Sequence, residues 1–277
     1  MKIKVYSPSN PLLQKYIESI YILTHTSEEE PAKYITFPSI FTIVSISEKS
    51  KSITKGNQLI IRQCDDNEVE TNLVSDFNKP VFVQYEGKIN EITIYFKPLA
   101  INAFLEQDLN QYNSSNFSEF SPFEDYRKAM IAILSLQDDT EKIEALERYW
   151  LSKLRGFQHN FLETVLSEMM CDENDALTIT ELCEKNAISR TTLNKHFGRH
   201  ICKTPSQFKK ILRFRNAVNK YASNNVRNNL TDIAYDVDYF DQSHMTREFK
   251  SVTGFSPKVF FEKTTALEKK QIHWLFL

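Results

Sequence analysis

Ile188–Phe197 reads ISRTTLNKHF, and Phe240–Phe249, which lies 52 residues later, reads FDQSHMTREF. In both segments the last two apolar residues are four positions apart with polar residues between them, as on a helix that buries one face. The register continues downstream, because Thr204-Pro205 of the first copy matches Ser256-Pro257 of the second. The C-terminal part of the chain is therefore predicted to be an internal repeat of helical units.

The first copy has the sequence signals of two short helices joined by a turn. Thr178 or Thr180 is expected to begin a helix that runs through Glu184, and Asn186–Ile188 is expected to form the turn. Ser189 then has the side chain of a good cap for the next helix. In this helix-turn-helix arrangement the second helix enters the major groove of DNA.

The second copy follows the same plan. Thr231 is predicted to cap a helix through Asp236, Asp238–Phe240 to form the turn, and Asp241 to cap the last helix. Between the copies, Thr204–Gln207 has the pattern of a capping box with Pro at the first turn. The connecting helix that it begins, Pro205–Ala222, would be about 27 Å long, which suits two reading helices in successive major grooves about 34 Å apart.

This double unit resembles the AraC/XylS-type bacterial transcription regulators, from near Gln158 to Lys263. The matching positions are Leu182, Cys183, Ser189, Leu193, Phe197, Thr204, Pro205, Arg213 and Ala217 in the first copy and Ile233, Ala234, Tyr239, Met245, Arg247, Phe249, Lys250, Gly254, Ser256 and Pro257 in the second. Two positions depart from the pattern, since Cys202 and Asp238 stand where the family usually has Gly. Both are expected to need a left-handed backbone, which Asp tolerates better than Cys.

The resemblance implies which side chains read DNA. The implied DNA-binding residues are Arg190, Thr191, Asn194 and Lys195 on the first recognition helix and Gln242, Ser243, Thr246 and Arg247 on the second. Their chemistry fits this role, because Asn pairs with adenine, Arg and Lys with guanine or phosphate, and Thr offers a hydroxyl and a methyl group.

Charge is distributed unevenly along a chain whose formal net charge is only −2. Residues 1–155 have 17 basic and 22 acidic side chains, whereas residues 156–277 have 17 basic and 14 acidic ones. The span from Lys185 to Thr231 contains eleven Lys and Arg residues and no acid, which suggests an uncompensated positive surface for a polyanion. We therefore expect the first unit to dominate DNA affinity and the second, which contains several acids, to contribute less.

The N-terminal part is predicted to be rich in β-strands, which makes the chain α+β as a whole. Short runs of β-branched and aromatic residues favour strands at Tyr34–Phe37, Ile40–Ile46, Gln58–Arg62, Val81–Tyr85 and Glu91–Phe96. They indicate an antiparallel sandwich or a cupin-like barrel. A helix is expected before them, with Asn10 as its cap and Leu12, Leu13, Tyr16, Ile17 and Ile20 on one stripe.

Two helices, Phe123–Leu136 and Thr140–Leu154, are predicted to follow the strands. The apolar stripe of the second either packs on its own sheet or forms a homodimer interface, and the sequence leaves both open. The predicted domains are a β-rich sensor or dimerisation domain at 1–155, an all-α DNA-binding domain with two helix-turn-helix units joined by a long helix at 158–264, and a tail at 265–277.

The N-terminal layout resembles the sensor domains of such regulators. The strand aromatics Tyr34, Phe37, Phe41, Phe82, Tyr85, Tyr95 and Phe96 could line an effector pocket or simply fill a core, and the core interpretation has more weight. The ligand-binding residues are therefore left unassigned.

Enzymatic and metal chemistry have little support in the sequence. His196 and His200 lie four residues apart without the glutamate of a zinc protease motif, so DNA contact or exposure is favoured over a metal site. No metal, cofactor or catalytic residue is expected. The four cysteines lack metal-type spacing, and Cys183 and Cys202 occupy apolar-pattern positions that indicate reduced core thiols.

The sequence thus predicts a bacterial, cytoplasmic transcription regulator that binds double-stranded DNA. Further expected partners are RNA polymerase, a small-molecule effector and a second copy of the chain, and no membrane partner is expected. Two alternatives stay open. One is a repair-type enzyme that uses Cys64 and has an appended DNA-binding module, and the other is a protein-interaction module tethered to DNA.

Overall fold

The structure is a computed structural model that describes residues 1–66, 68–115, 117–171, 177–223, 239, 241–263, 265–266 and 273–276. Two six-stranded sheets and the helices that follow them account for most of these residues. The strands are β1 (Lys2–Tyr6), β2 (Ile17–His25), β3 (Ala32–Thr36), β4 (Thr42–Glu48), β5 (Ser50–Lys55), β6 (Gln58–Gln63), β7 (Val69–Val74), β8 (Val81–Glu86), β9 (Ile89–Phe96), β10 (Ser118–Glu119), β11 (Thr265–Ala266) and β12 (His273–Phe276).

The two sheets enclose a common apolar core, which confirms the β-rich N-terminal domain. The first sheet has the order β1-β2-β9-β4-β7-β10 and is antiparallel throughout. The second has the order β11-β12-β3-β8-β6-β5, in which β6 and β8 run parallel to each other. This parallel pair is a departure from the fully antiparallel sheet that the sequence predicts.

The predicted helix around Leu12–Ile20 is wrong. Only a single 3-10 turn forms, at Leu13–Lys15, and strand β2 begins at Ile17. β2 lies between β1 and β9, and Ile20 to Leu23 are all buried. A strand with both faces covered has a continuous apolar run, and a short run of this kind also fits a helical stripe. Pairing with two neighbouring strands decides between them here.

The helix pair packs on its own domain. α1 (Tyr126–Leu134) and α2 (Asp139–Ser152) cover the first sheet, and the Trp150 ring lies 4.9 Å from that of Phe96. Ile143, Leu146 and Trp150 are buried. The stripe on α2 is therefore occupied within the chain, which favours packing over the dimer interface.

The C-terminal domain is helical, as predicted. The helices in its described residues are α3 (Leu162–Met170), α4 (Ile179–Lys185), α5 (Arg190–His200), α6 (Pro205–Ser223), α7 (Gln242–Thr253) and α8 (Pro257–Lys263). Within the described part of the chain, no helix is both long and apolar enough to cross a membrane.

The end of the chain returns to the N-terminal domain. Strand β12, which lies within the predicted tail, pairs with β3 and places Leu275 opposite Ile35. Its Trp274 is buried and stacks on Tyr34 at 4.0 Å between ring centroids. The second sheet is thus built from both ends of the sequence.

Candidate nucleic-acid interface

The first unit is formed by α4, a short turn and α5. Thr178 Oγ1 accepts a hydrogen bond from the Glu181 amide (3.2 Å), and Glu181 Oε2 accepts one from the Thr178 amide (2.7 Å). This capping box makes Thr178, rather than Thr180, the start of the unit. Ala187 turns the chain with a left-handed φ of 51°, and Ser189 Oγ caps α5 by accepting from the Thr192 amide (3.0 Å).

Helix α5 separates an apolar face from a polar one. Leu193 and Phe197 are fully buried. The implied DNA-binding residues Arg190, Thr191, Asn194 and Lys195 are all exposed. They occupy the N-terminal half of the helix, from which helix-turn-helix proteins contact base edges.

Helix α7 repeats this arrangement. Asp241 Oδ1 caps it by accepting from the His244 amide (2.6 Å), and Met245 and Phe249 are buried. Of the implied DNA-binding residues, three are exposed and one, Thr246, is half-buried; the exposed ones are Gln242, Ser243 and Arg247. The predicted helix Thr231–Asp236 and the turn residues Asp238 and Phe240 lie outside the described residues.

The connecting helix α6 begins with the predicted capping box. The Thr204 amide donates to Gln207 Oε1 (2.8 Å), and the Gln207 amide donates to Thr204 Oγ1 (3.2 Å). Its 19 residues give a length of about 28 Å at 1.5 Å per residue. Near its middle, Arg213 Nη2 pairs with Glu248 Oε1 of α7 (2.6 Å).

Comparison with protein families gives one match, to a model described as "Helix-turn-helix domain", over residues 182–263. These residues form a helix-turn-helix domain. They include both recognition helices and the connector, so the AraC-type domain that the sequence resemblance predicts is confirmed there. The predicted limits of 158 and 264 stay a prediction.

Among solved structures, the whole chain is similar to ToxT from Vibrio cholerae. One ToxT structure shares 11% identity with a TM-score of 0.46, covering 95% of this chain and 98% of that one. A structure of ToxT with a bound unsaturated fatty acid shares 13% with a TM-score of 0.44, covering 88% and 95%. These likenesses are too distant to carry an argument about this chain. No curated protein matches its sequence significantly.

The cations of the helix-turn-helix domain are less available than their sequence suggests. Lys203 and Arg215 are buried, and both donate to backbone carbonyls of the N-terminal domain, Lys203 to Ser75 and Arg215 to Phe37 (2.8 Å) and Pro38 (2.9 Å). Burial lowers the pKa of Lys203 to about 8, against the opposing effect of Asp76, and lowers that of Arg215 to about 10.

Other cations in the acid-free span have partners within the protein. Lys209 donates to the Leu177 carbonyl. Three form ion pairs with acids from outside the span: Lys185 with Glu168 (2.9 Å), Arg199 with Asp108 (3.4 Å) and Arg213 with Glu248 (2.6 Å). The predicted positive stretch is therefore compensated in part, by acids that are distant in sequence. Arg190 and Lys195 remain as exposed cations on α5.

The departure at Cys202 has the predicted backbone geometry. Cys202 has a left-handed φ of 56°, and its equivalent in the second unit, Gly254, has a φ of 79°. Cys183 and Cys202 are both buried and unpaired, as core thiols. Asp238, the other departure, lies outside the described residues.

Three histidines meet where α5 contacts the N-terminal domain. His159 Nε2 lies 2.8 Å from His196 Nδ1, and one ring nitrogen each of His159, His196 and His200 lie within 4.8 Å of one another. Burial lowers the pKa of both His159 and His200. The sequence predicts exposure or DNA contact for His196 and His200, but His200 is buried. His159 is 37 residues from His196, so no local pattern connects them.

A cavity lies between the two sheets of the N-terminal domain. Its volume is about 50 Å³, and Tyr34, Tyr85 and Tyr95 line it together with Trp274. The other strand aromatics of the predicted set do not line it; Phe37, Phe41 and Phe96 are buried elsewhere in the cores, and Phe82 is exposed.

The cavity wall contains a buried carboxyl group. Glu91 accepts hydrogen bonds from the hydroxyls of Tyr21 (3.1 Å), Tyr85 (3.1 Å) and Thr93 (2.9 Å). Burial raises the pKa of Glu91, and these hydrogen bonds oppose the rise. The wall thus combines aromatic faces with one polar cluster.

Proposed function

We propose that this protein is a sequence-specific DNA-binding transcription regulator that reads two adjacent major grooves. The observation that carries the proposal is the matched pair of recognition helices. Each has a capped N-terminus, a buried apolar face and exposed polar side chains at equivalent positions. Helix N-termini also offer free backbone N–H groups for phosphate.

The connector supports simultaneous reading by both helices. Its length of about 28 Å is close to the separation of about 34 Å between successive major grooves on one DNA face. The Arg213–Glu248 pair fixes α7 against α6 in a bidentate contact, since Arg213 Nε also donates to Glu248 Oε2 (3.2 Å). Such a pair restricts orientation as well as adding energy.

The exposed cations refine the electrostatic expectation. Among the implied DNA-binding residues, the exposed cations are Arg190 and Lys195 on α5 and Arg247 on α7. We propose that the first unit contributes about twice the electrostatic share of the second. The basis is two exposed cations against one among the implied DNA-binding residues, rather than the eleven in the acid-free span.

The first experiment identifies the DNA. The full chain is used to select bound sequences from random and genomic DNA at physiological salt, and the selected site is then titrated across a salt series. The Lys195→Ala and Arg247→Ala variants should each lose about 1–3 kcal/mol of specific binding. The double variant Arg190→Ala/Lys195→Ala should lower the salt slope by about 2 and Arg247→Ala by about 1.

Lys128→Ala is the matched control, because Lys128 is an exposed cation on α1 of the N-terminal domain. Its affinity and salt slope should equal those of the parent. Parental binding by both Lys195→Ala and Arg247→Ala at matched salt would show that the assigned reading residues are wrong. Failure to select any sequence above background would overturn the function itself.

We further propose that the N-terminal domain senses a small molecule in its cavity. Aromatic walls with a few convergent polar groups are typical of ligand pockets. The chemistry fits a largely apolar compound that places one hydrogen-bonding group beside Glu91 and its tyrosines. Trp274, on strand β12, lines the cavity. β12 pairs with β3, and the backbone carbonyls that directly follow β3 accept hydrogen bonds from Arg215 of the connector.

Trp274 provides the readout for sensing. In a Trp150→Phe background it is the sole tryptophan, so compounds that enter the cavity should change its emission and shift the affinity for the selected DNA. Glu91→Gln should weaken the binding of those compounds. Trp274→Phe should remove the change in emission but keep the shift in DNA affinity. Compounds that alter emission without any change in DNA affinity would argue against sensing.

RNA polymerase contact and a bacterial cytoplasmic location are part of this proposal, since a transcription regulator acts at promoters. The repair-enzyme alternative makes a separate prediction, the covalent modification of Cys64 during turnover of alkylated DNA. Mass spectrometry of the protein after incubation with such DNA distinguishes the two functions.

A further inference from the structure

The three histidines at the end of the first recognition helix form a cluster from two separate segments. His196 and His200 are one helical turn apart on α5, and His159 comes from the segment between α2 and α3. Residues four apart on a helix face the same side, so both α5 imidazoles can approach one point. His159 closes the group from across the interface, with its Nε2 2.8 Å from His196 Nδ1.

The spacing of these nitrogens is close to that of a tetrahedral zinc site. Zn–N distances of 2.0–2.1 Å imply nitrogens roughly 3.3 Å apart. One nitrogen from each histidine lies within 4.8 Å of the other two, and His159 and His196 are slightly closer than an ion would hold them. Small side-chain movements would therefore complete the geometry.

The surroundings supply what a metal site needs outside its ligands. His200 Nδ1 lies 3.3 Å from Asn102 Oδ1 and 3.6 Å from Asp108 Oδ1. An amide and a carboxylate beside a histidine orient the ring, and the carboxylate also makes it a better ligand. Phe157 and Phe161 pack against the imidazoles, with ring centroids 5.3 Å from His200 and 4.7 Å from His159.

Existing hydrogen bonds of His159 oppose metal binding. His159 Nδ1 accepts long hydrogen bonds from the amides of Phe161 (3.5 Å) and Leu162 (3.3 Å), which places the proton of the neutral ring on Nε2, 2.8 Å from His196 Nδ1. A metal on Nε2 would move that proton to Nδ1 and remove all three contacts. The loss is two long hydrogen bonds and one hydrogen bond between imidazoles, whereas the gain is coordination by three imidazoles.

We propose that His159, His196 and His200 bind one Zn²⁺ ion, with Asp108 beside them as the supporting carboxylate. Three imidazoles with a carboxylate select Zn²⁺ and its transition-metal neighbours over Mg²⁺ and Ca²⁺, which prefer oxygen ligands. The ion would join the recognition helix to the interdomain segment and, through Asn102 and Asp108, to the N-terminal domain. The site stands independently of DNA binding, but its use as a regulator of DNA affinity rests on the proposed function.

Metal binding is tested on the full chain after removal of any histidine tag. Co²⁺ is the optical probe, because it absorbs visible light intensely when tetrahedral, and Zn²⁺ should displace it at one equivalent per chain. His159→Gln and His196→Gln should each lower the affinity for Zn²⁺ at least 100-fold, and Asp108→Asn should lower it about 10- to 100-fold. His200 is kept because it is buried against Asn102.

His244→Gln is the control, since His244 lies on the other recognition helix and outside the cluster. It should bind Zn²⁺ as the parent does. Melting temperatures without metal show whether each variant folds; a folded His159→Gln variant with parental Zn²⁺ affinity would overturn the site. So would a parent that gives no tetrahedral Co²⁺ spectrum.

Regulation by the ion is measured separately, as the affinity of the protein for the selected DNA in the presence of Zn²⁺ and in the presence of a chelator. A shift in DNA affinity of five-fold or more that disappears in His159→Gln supports regulation by the ion. Zinc binding without any shift would restrict the site to a structural role. Failure to bind DNA in both states would count against the proposed function while leaving the metal result intact.

Discussion

The two recognition helices are anchored to different parts of the molecule. The last turn of α5 contacts the N-terminal domain directly, because Asn102 Nδ2 donates to the His200 carbonyl (2.8 Å) and Arg199 pairs with Asp108 (3.4 Å). Helix α7 is instead anchored to the connector, through Arg213–Glu248 and a Phe214–Phe249 ring contact at 5.2 Å. A change in the N-terminal domain can therefore reach α5 through polar contacts at its last turn, whereas α7 shares an apolar cluster with that domain.

The chemistry of attachment differs as well. Around α5, polar groups that include the buried Lys203 accompany apolar contacts, since Ile201 and Cys202 belong to apolar clusters shared with the N-terminal domain. The second half of the domain attaches through an apolar cluster in which Phe37 of the N-terminal domain packs 4.9 Å from Phe260. Polar attachment depends on pH and salt, whereas apolar attachment depends mainly on buried area. The predictions below test this contrast.

The largest expected effect is the loss of apolar attachment in Phe37→Ala. The Phe37 side chain is fully buried, so its truncation should cost about 3–5 kcal/mol in the free energy of unfolding. The backbone carbonyl that accepts from Arg215 is retained. Urea denaturation measures the cost, and limited trypsin digestion should show faster cleavage within residues 205–263 in the native state.

Phe41→Ala is the matched control for that variant. Phe41 is also buried but packs within the N-terminal domain, 6.0 Å from Tyr95. It should destabilise the protein without selectively exposing residues 205–263. Identical cleavage patterns for the two variants would remove Phe37 as an attachment point.

The polar attachment predicts a pH effect at Lys203. Burial lowers its pKa to about 8 in the folded protein from 10.5, so between these values the unfolded chain binds more protons and stability rises with pH. The contribution of Lys203 should become more favourable by about 2 kcal/mol between pH 8 and pH 10. Lys203→Met should lose this rise, as measured by urea denaturation across that range.

Asp76 tests the cause of the pH effect. Its carboxylate opposes the lowering of the Lys203 pKa, so Asp76→Asn should shift the rise in stability to lower pH. A parent and a Lys203→Met variant with parallel pH profiles would show that Lys203 is solvated and that the attachment around α5 does not depend on it.

A smaller effect distinguishes the ion pairs of the two units. Arg213–Glu248 is bidentate with both side chains less than a fifth exposed, whereas the Lys185 side chain of the Lys185–Glu168 pair is 52% exposed. Double-mutant cycles to Met and Gln should give a coupling of about 1–2 kcal/mol for Arg213–Glu248 and below about 1 kcal/mol for Lys185–Glu168. Equal couplings, or a larger value for Lys185–Glu168, would contradict the view that α7 is held mainly by the connector.

These contrasts also separate what the sequence predicts from what it does not. The caps at Ser189, Thr204 and Asp241 were predictable because a cap depends on residues within three positions of it. The internal repeat predicted both recognition helices, because the helical pattern of each copy is also local in sequence. The exposure of their polar side chains then followed from helical periodicity.

Contacts between distant segments left no such signal. Strand β2 was mistaken for a helix because only its pairing with β1 and β9 decides the conformation. The charge count along the chain missed the partners of Lys203 and Arg215, which are carbonyls of the other domain. His159 could not be connected with His196, since nothing in either local sequence points to the other.

The smallest effect concerns one equivalent position in the two units, where Cys202 and Gly254 both have left-handed backbones. A Cβ at Gly254 would meet nothing within 4 Å, so Gly254→Ala should cost only the backbone strain, about 1–2 kcal/mol. Cys202→Gly should relieve the same strain but lose the packing of a buried thiol, which leaves a net change below about 1 kcal/mol. Thermal unfolding of both variants measures the difference. A loss in Cys202→Gly larger than that in Gly254→Ala would mean that the thiol is held by packing against the N-terminal domain, and that α5 is attached there by apolar contact as well as by polar groups.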